Sequence, residues 1–379
     1  MTWDAYDLGV LAATRGDLAA ARGHLRRAGD DPRALLLLGQ LAADGPEARD
    51  SYRRAAELGS ADAAYNLGAL HAGDRLGEPD LATALDWYRR AARLGDAAAH
   101  RMAGVMYATG QGTPVEPRRA EEHLRRAAAA GETAAYRDLG TLLARDPVES
   151  AHWFLHAAAR AELAALVPAL RAETSTRARC VLGVALAFFL DDVPGGTALL
   201  AGAADDGDPV ARRSLGSLVQ STDPARAAHL YRLAAEAGDG IAAFNVGLLA
   251  EEPAEAIRWL RSAAEQGITP AYAHLANRLS ALDEDEEALR WYVRGATAGE
   301  KGCRFAAACW YRDGFGGPVD LVQALRWYLA LLDVGSGDGI HEAHLIVPRM
   351  SAEEIHEAGR LSGRRLEADE FVRRRSTTL

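Results

Sequence analysis

Two groups of histidines come closest to the spacing of metal ligands. His152 and His156 are four residues apart, so a helix would place both imidazoles on one face, as in a two-ligand site. His341 and His344 are three apart, one residue short of the His-Glu-x-x-His spacing of zinc proteases, and His356 could join them in space. No further Cys or His motif lies near the first pair, so we expect structural histidines. A metal-dependent protein or enzyme with a site near the C-terminal histidines stays open as an alternative.

Other catalytic signatures are missing from the sequence. A phosphate-binding Walker A loop needs Gly-Lys-Ser/Thr, whereas Lys301, the sole lysine, is followed by Gly and Cys. No Gly-x-Ser-x-Gly nucleophile elbow occurs. The three cysteines, Cys180, Cys303 and Cys309, lack Cys-x-x-Cys spacing, which favours reduced thiols. We predict a protein that is not an enzyme and that holds no cofactor and no metal.

Composition narrows the class of partner. The net charge of -10 opposes binding to phosphate backbones, so no nucleic-acid partner is expected. The N-terminus carries acids where a signal peptide needs bases. The longest apolar run, residues 181–190, has about half the length that a bilayer span requires. We expect a soluble, cytoplasmic protein with no membrane partner, and the preference for Arg over Lys suggests a bacterial source.

The elements that carry these residues repeat along the chain. Each repeat predicts two helices, A and B, with a small anchor residue inside helix A and a glycine that ends helix B. The anchors are Gly9, Gly39, Gly68, Gly104, Gly140, Gly183, Gly216, Gly247, Ala276 and Ala308. The closing glycines are Gly29, Gly59, Gly95, Gly131, Gly207, Gly238, Gly267, Gly299 and Gly335, and in the fifth repeat Ala161 falls near that place. The sequence therefore predicts ten helix pairs.

Each feature has a physical cause. Glycine inside a helix costs about 1 kcal/mol, which is offset if helix B must approach closely there. A closing glycine adopts the left-handed conformation that ends a helix. Four residues after the anchor stands alanine in the first six repeats, but Gln220, Glu251, Ser280 and Arg312 in the last four. The two halves are therefore predicted to offer different surfaces.

The combined pattern, A-x-x-x-L-G-x-x-Y-x-x-G-x-G-x-x-x-x-D/E-x-x-x-A-x-x-W-Y-x-x-A-A-x-x-G, resembles the Sel-like repeat family, close relatives of tetratricopeptide repeats. Residues 97–131 and 304–335 match best. The resemblance implies an all-α, right-handed superhelical solenoid of about ten antiparallel helix pairs. It also implies scaffolding, adaptor work or assembly of signalling and quality-control complexes.

The domain organisation has two irregular stretches. We expect a repeat solenoid over residues 1–335, with a break in register at about 161–177 that is either an inserted turn or long helix, or a hinge or specificity insert. Residues 336–379 are expected to form a C-terminal capping helix and a frayed basic tail. Ser351 and Glu354 have the spacing of a capping box at the start of that helix.

The resemblance also implies a binding surface, because helix A lines the concave groove in relatives of this fold. Positions two and three before each anchor, and one after it, then carry polar side chains suited to a peptide backbone or a carboxylate. They are Asn66, Arg101, Arg137, Asp138, Arg213, Asn245, His274 and Asn277. We predict an adaptor that binds a protein or peptide partner there. A peptide-sensing regulator is a second alternative, although no helix-turn-helix fits ahead of the repeats. Homo-oligomerisation stays open.

Overall fold

The computed structural model describes the backbone of residues 4–377 and the side chains of residues 4–374. Within that range the chain is all-α, with no β-strand, and it divides into two compact units, residues 1–193 and 194–379. None of the described helices is both long enough and apolar enough to cross a membrane.

The first unit contains five antiparallel helix pairs followed by two further helices. In chain order the helices are α1 (Ala5–Thr14), α2 (Leu18–Arg27), α3 (Pro32–Gln40), α4 (Gly45–Glu57), α5 (Ala61–Ala72), α6 (Leu81–Arg93), α7 (Ala97–Thr109), α8 (Pro117–Ala129), α9 (Ala134–Leu142), α10 (Pro147–His156), α11 (Arg160–Ala172) and α12 (Thr176–Val184), which continues as a π-helical turn, Ala185–Phe189.

The second unit contains α13 (Val193–Asp205), which is helix B of the sixth predicted pair, then the last four pairs and three C-terminal helices. These later helices are α14 (Pro209–Val219), α15 (Pro224–Glu236), α16 (Gly240–Leu249), α17 (Pro253–Glu265), α18 (Thr269–Ser280), α19 (Asp285–Thr297), α20 (Lys301–Asp313), α21 (Leu321–Ala330), α22 (Asp338–Ile346), α23 (Ala352–Ser362) and α24 (Arg365–Thr377).

The anchor residues allow helix B to pack closely on helix A, as predicted. A Cβ placed on Gly68 would lie 2.9 Å from the ring of Tyr88, which is buried in helix B of the same pair. Gly216 faces Tyr231 in the same way, at 2.8 Å. The helix-propensity cost of glycine therefore makes room for a large aromatic ring, whose burial stabilises the pair.

The closing residues adopt the left-handed conformation. Each predicted closing glycine has a positive φ, from 64° at Gly29 to 98° at Gly207. In the fifth pair the expected residue was wrong: Ala158, with φ 49°, takes this conformation, whereas Ala161 lies inside α11. Helix α10 ends three residues earlier than the sequence suggested, and an alanine there accepts the strain that glycine avoids elsewhere.

The break in register is an inserted helix, α11, which contacts both α10 and α12. Leu163 and Leu170, seven residues apart on one side of α11, are buried. Pro168 lies inside this helix but on its exposed side, where water can satisfy the carbonyl that its missing N–H leaves free. Whether this segment acts as a hinge stays a prediction.

The C-terminal segment is more ordered than a frayed tail. The capping box is confirmed: Ser351 and Glu354 each accept a hydrogen bond from the other's backbone N–H at the start of α23. The frayed tail was expected at the end of the chain, from residue 370 onward, but residues 370–377 belong to α24, which buries Ala368 and Phe371. Residues 378 and 379 lie outside the described residues.

Candidate partner-binding face

The exposed side of the A helices forms a separate surface in each unit, here called the A face. Successive A helices contact one another at α1–α3, α7–α9 and α18–α20, whereas no two successive B helices of the ten pairs come as close in the described residues. A partner chain that lay along this face would meet several repeats at once.

The three predicted arginines are engaged in ion pairs. The Nε atom of Arg101 lies 2.6 Å from Oδ2 of Asp138, another predicted site residue, on the next A helix. Arg137 pairs with Glu162 of the inserted helix at 3.2 Å, and Arg213 pairs with Asp239 at 3.0 Å. The Arg137–Glu162 pair is exposed, and such pairs are worth about 0–1 kcal/mol. The three ion pairs connect neighbouring elements and neutralise the positive charge that sequence reasoning assigned to the face.

The predicted amides fall into two groups. Asn66 and Asn245 occupy the same register position, two residues before their anchors, and are half-buried. Neither side chain forms a hydrogen bond within the described residues. Asn277, by contrast, accepts a hydrogen bond from the hydroxyl of Tyr292. His274 is exposed and lies edge-on to Phe244, with 5.4 Å between the ring centres. Asn66 and Asn245 thus keep a free donor and acceptor on the A face.

The polar residues that replace alanine in the later repeats serve a purpose that the sequence did not reveal. Gln220 accepts a hydrogen bond from the Tyr231 hydroxyl at 2.9 Å, and Arg312 donates one to the Tyr328 hydroxyl at 3.3 Å. Both tyrosines are buried in helix B. A buried hydroxyl needs a hydrogen-bond partner. Gln220 and Arg312 therefore form hydrogen bonds within the protein rather than offering polar groups to a partner protein. Glu251 alone of the four points into solvent without a partner in the described residues.

The structure has a groove at the start of the first unit that the sequence did not predict. Its volume is about 590 Å³, and it opens between α1, α3 and the start of α5. Tyr6, Val10, Leu36 and Leu37 supply its apolar wall, and the Arg33 guanidinium stacks over the Tyr6 ring at 4.3 Å. The volume is in the range of ligand pockets. No sequence pattern distinguishes these apolar residues, because they have the same spacing as core residues.

Two histidine pairs lie in adjacent repeats of the first unit. The Nδ1 atoms of His100 and His123 are 3.1 Å apart, and burial, followed by the neighbouring His100, lowers the pKa of His123 to about 4. His152 and His156 are in ring contact, 4.8 Å between centres, and burial lowers both pKa values. All four imidazoles are therefore held neutral near pH 7. His123 occupies the position at which other B helices carry tryptophan. The contact between His100 and His123 therefore stands where those repeats have a tryptophan ring.

The C-terminal histidines do not converge. His344 bonds through Nδ1 to the carbonyl of Ile340 at 2.7 Å, and His356 bonds through Nε2 to Asp369 at 2.9 Å. Over the residues whose placement is described, no three His, Cys, Asp or Glu side chains are grouped to hold a metal ion.

The repeat pattern decides the family. The sequence model of the Sel1 repeat matches residues 33–60, 61–96, 97–132, 135–161, 213–239, 242–268, 282–300 and 302–333, more than half of the chain. The chain belongs to the Sel1 repeat family. The eight matches fall within eight of the ten helix pairs; the first and sixth pairs are not matched.

Several solved structures are similar in fold. One is c5321, a protective antigen present in uropathogenic Escherichia coli strains and displaying an SLR fold. The sequences are 22% identical, the match covers 98% of this chain and 94% of that chain, and the TM-score is 0.42. A Sel1 repeat protein from Oxalobacter formigenes matches at 22% identity over 62% of this chain and 97% of that chain, TM-score 0.40. The APC/C hetero-tetramer Cut9–Hcn1 matches at 12% identity over 98% and 89%, TM-score 0.39. No curated protein sequence matches the chain.

Proposed function

We propose that this Sel1 repeat protein is a non-catalytic scaffold or adaptor that binds an extended segment of a partner protein along the A face. The observation that carries the proposal is that each unit has a half-buried amide on its own A face, Asn66 in the first and Asn245 in the second, with no hydrogen bond within the described residues. A side-chain amide can donate to and accept from one peptide unit of an extended chain.

The remaining features of the A face support the same role. The groove at the first three pairs offers an apolar recess lined by residues of α1 and α3, as peptide-binding grooves require for an anchoring side chain. The ion pairs at Arg101 and Arg213 connect neighbouring elements of the face within the protein itself, so these side chains are positioned before a partner arrives. Pre-organisation of this kind reduces the entropic cost of binding.

The test is affinity capture from a lysate of the source organism. Arginine is introduced on the A face at two exposed positions of the first unit, Ala69→Arg and Thr141→Arg, and at Ser217→Arg in the second. The matched controls place arginine at exposed positions of B helices, Ala129→Arg and Ala254→Arg.

The A-face variants are expected to lose a partner that wild type and both controls retain, with unchanged circular dichroism. A partner kept by the A-face variants, or lost equally by the controls, would contradict the assignment.

A further inference from the structure

One A helix of the second unit, α16, carries three apolar side chains on its A face, beside the amide of Asn245. Ile241, Phe244 and Leu248 of α16 are spaced at i, i+3 and i+7, so they share one side of the helix. Ile241 is 45% exposed and Leu248 is 41% exposed. The corresponding residues are Val210, Arg213 and Ser217 in α14, Pro270, Ala273 and Asn277 in α18, and Gly302, Phe305 and Cys309 in α20. We call the three residues of α16 the apolar strip.

Four acidic residues lie at the end of this strip. Glu251 and Glu252 follow α16, and Asp283 and Glu284 follow α18; all four are exposed. The contact between Phe244 and His274 shows that α16 and α18 run side by side, so their two turns lie at the same end. We call these four residues the acidic edge.

Basic side chains of the protein do not neutralise the negative charge of the acidic edge within the described residues. None of its four carboxylates forms an ion pair within the described residues. The neighbouring acids of the same run behave differently: Glu286 pairs with Arg290 at 2.7 Å, and Glu287 pairs with Arg261 at 2.9 Å. Unpaired negative charge next to exposed apolar side chains repels anionic lipid surfaces and nucleic acids, and it attracts a cation-bearing apolar segment.

We propose that the apolar strip and the acidic edge together bind a basic amphipathic segment of a partner protein, with its apolar side on α16 and its Lys or Arg side chains toward Glu251, Glu252, Asp283 and Glu284. This inference rests on the proposed function and adds the chemistry of the partner. The apolar contact supplies most of the affinity, since exposed ion pairs contribute little. The charges select the partner and speed its association.

The test uses the full chain and two fluorescent probe peptides of about ten residues, in which alternate residues are leucine so that an extended chain carries its apolar side chains on one side. Both have the same amphipathic pattern of leucine, with lysine at the polar positions of one and glutamate at those of the other. Fluorescence polarisation is expected to detect binding of the lysine peptide alone. Raising salt from about 50 to about 500 mM should weaken that binding, because the exposed charges are then screened.

Two variants locate the binding site. Leu248→Ser is expected to weaken binding of the lysine peptide about tenfold, because it removes a large apolar side chain from the contact. Its control is Leu94→Ser, a leucine of similar exposure, 44%, in the first unit. Glu251→Lys combined with Glu284→Lys should also weaken binding about tenfold, because repulsion between like charges replaces two attractions. Its control, Asp74→Lys with Glu78→Lys, changes two exposed acids in a turn of the first unit.

The outcomes separate this inference from the proposed function. Loss of binding in both second-unit variants, with both controls like wild type, supports the inference. Equal weakening by variants and controls would mean that the peptide responds only to net charge, and would overturn it. If neither peptide binds while the A-face variants still lose a cellular partner, the inference fails and the proposed function stands.

Discussion

Replacement of Ala158 by glycine should stabilise the first unit. Ala158 holds a left-handed backbone, φ 49°, at the end of α10, and this conformation costs a residue with a Cβ about 1–2 kcal/mol. Glycine removes that cost but adds about 0.5–1 kcal/mol of unfolded-state entropy. The net gain expected is about 0.5–1 kcal/mol, which in a unit of this size corresponds to about 1–4 °C in Tm.

The assay is thermal unfolding followed by circular dichroism, with urea unfolding as a second measure. The matched control is Gly131→Ala at the same place in the preceding repeat. There φ is 89° and a Cβ would meet no atom within 4 Å, so only the conformational cost remains and Tm should fall. An Ala158→Gly protein that melts at or below the wild-type temperature would refute the reasoning, as would a Gly131→Ala protein that melts higher.

Two further predictions concern a loop and a histidine. Gly316→Ala should destabilise the second unit by about 2–3 kcal/mol in urea unfolding, because its Cβ would collide with the carbonyl of Asp285 and its φ is 71°. Gly317→Ala, with open space around its Cβ, should change stability little, and equal effects would contradict the account. The pKa of His123, lowered to about 4 from 6.5, means that the folded chain binds fewer protons than the unfolded chain between those values. Stability should therefore fall as the pH drops from about 6.5 toward 4. His123→Trp should reduce the drop in Tm between pH 7 and pH 4; an unchanged drop would argue against this.

The repeat architecture could be predicted because it depends on local rules. A glycine at a closing position ends a helix wherever it stands, and a glycine anchor marks close packing regardless of the partner. The closing residue of the fifth pair was predicted wrongly because no residue type marks it. Ala158 takes the left-handed conformation only because α10 stops there and α11 starts two residues later. Such a position is set by packing against the inserted helix.

The candidate site was harder to predict, because a sequence does not show which polar groups satisfy one another. Arg101 and Asp138 are 37 residues apart and were assigned to a partner, yet they bond to each other. Asn277 was assigned in the same way, and it bonds to Tyr292. Only the three-dimensional contacts separate these residues from Asn66 and Asn245, whose amides have no partner in the described part of the chain.

The most direct test of the central claim is site-specific photo-crosslinking in cells of the source organism. A photoreactive residue replaces Ala69 or Thr141 on the A face, and Ala129 or Ala254 on the B helices, each position being exposed. The account predicts a discrete crosslinked partner protein from both A-face positions and none from the B-helix positions. Crosslinks from the B-helix positions alone, or to the same proteins from all four, would contradict it.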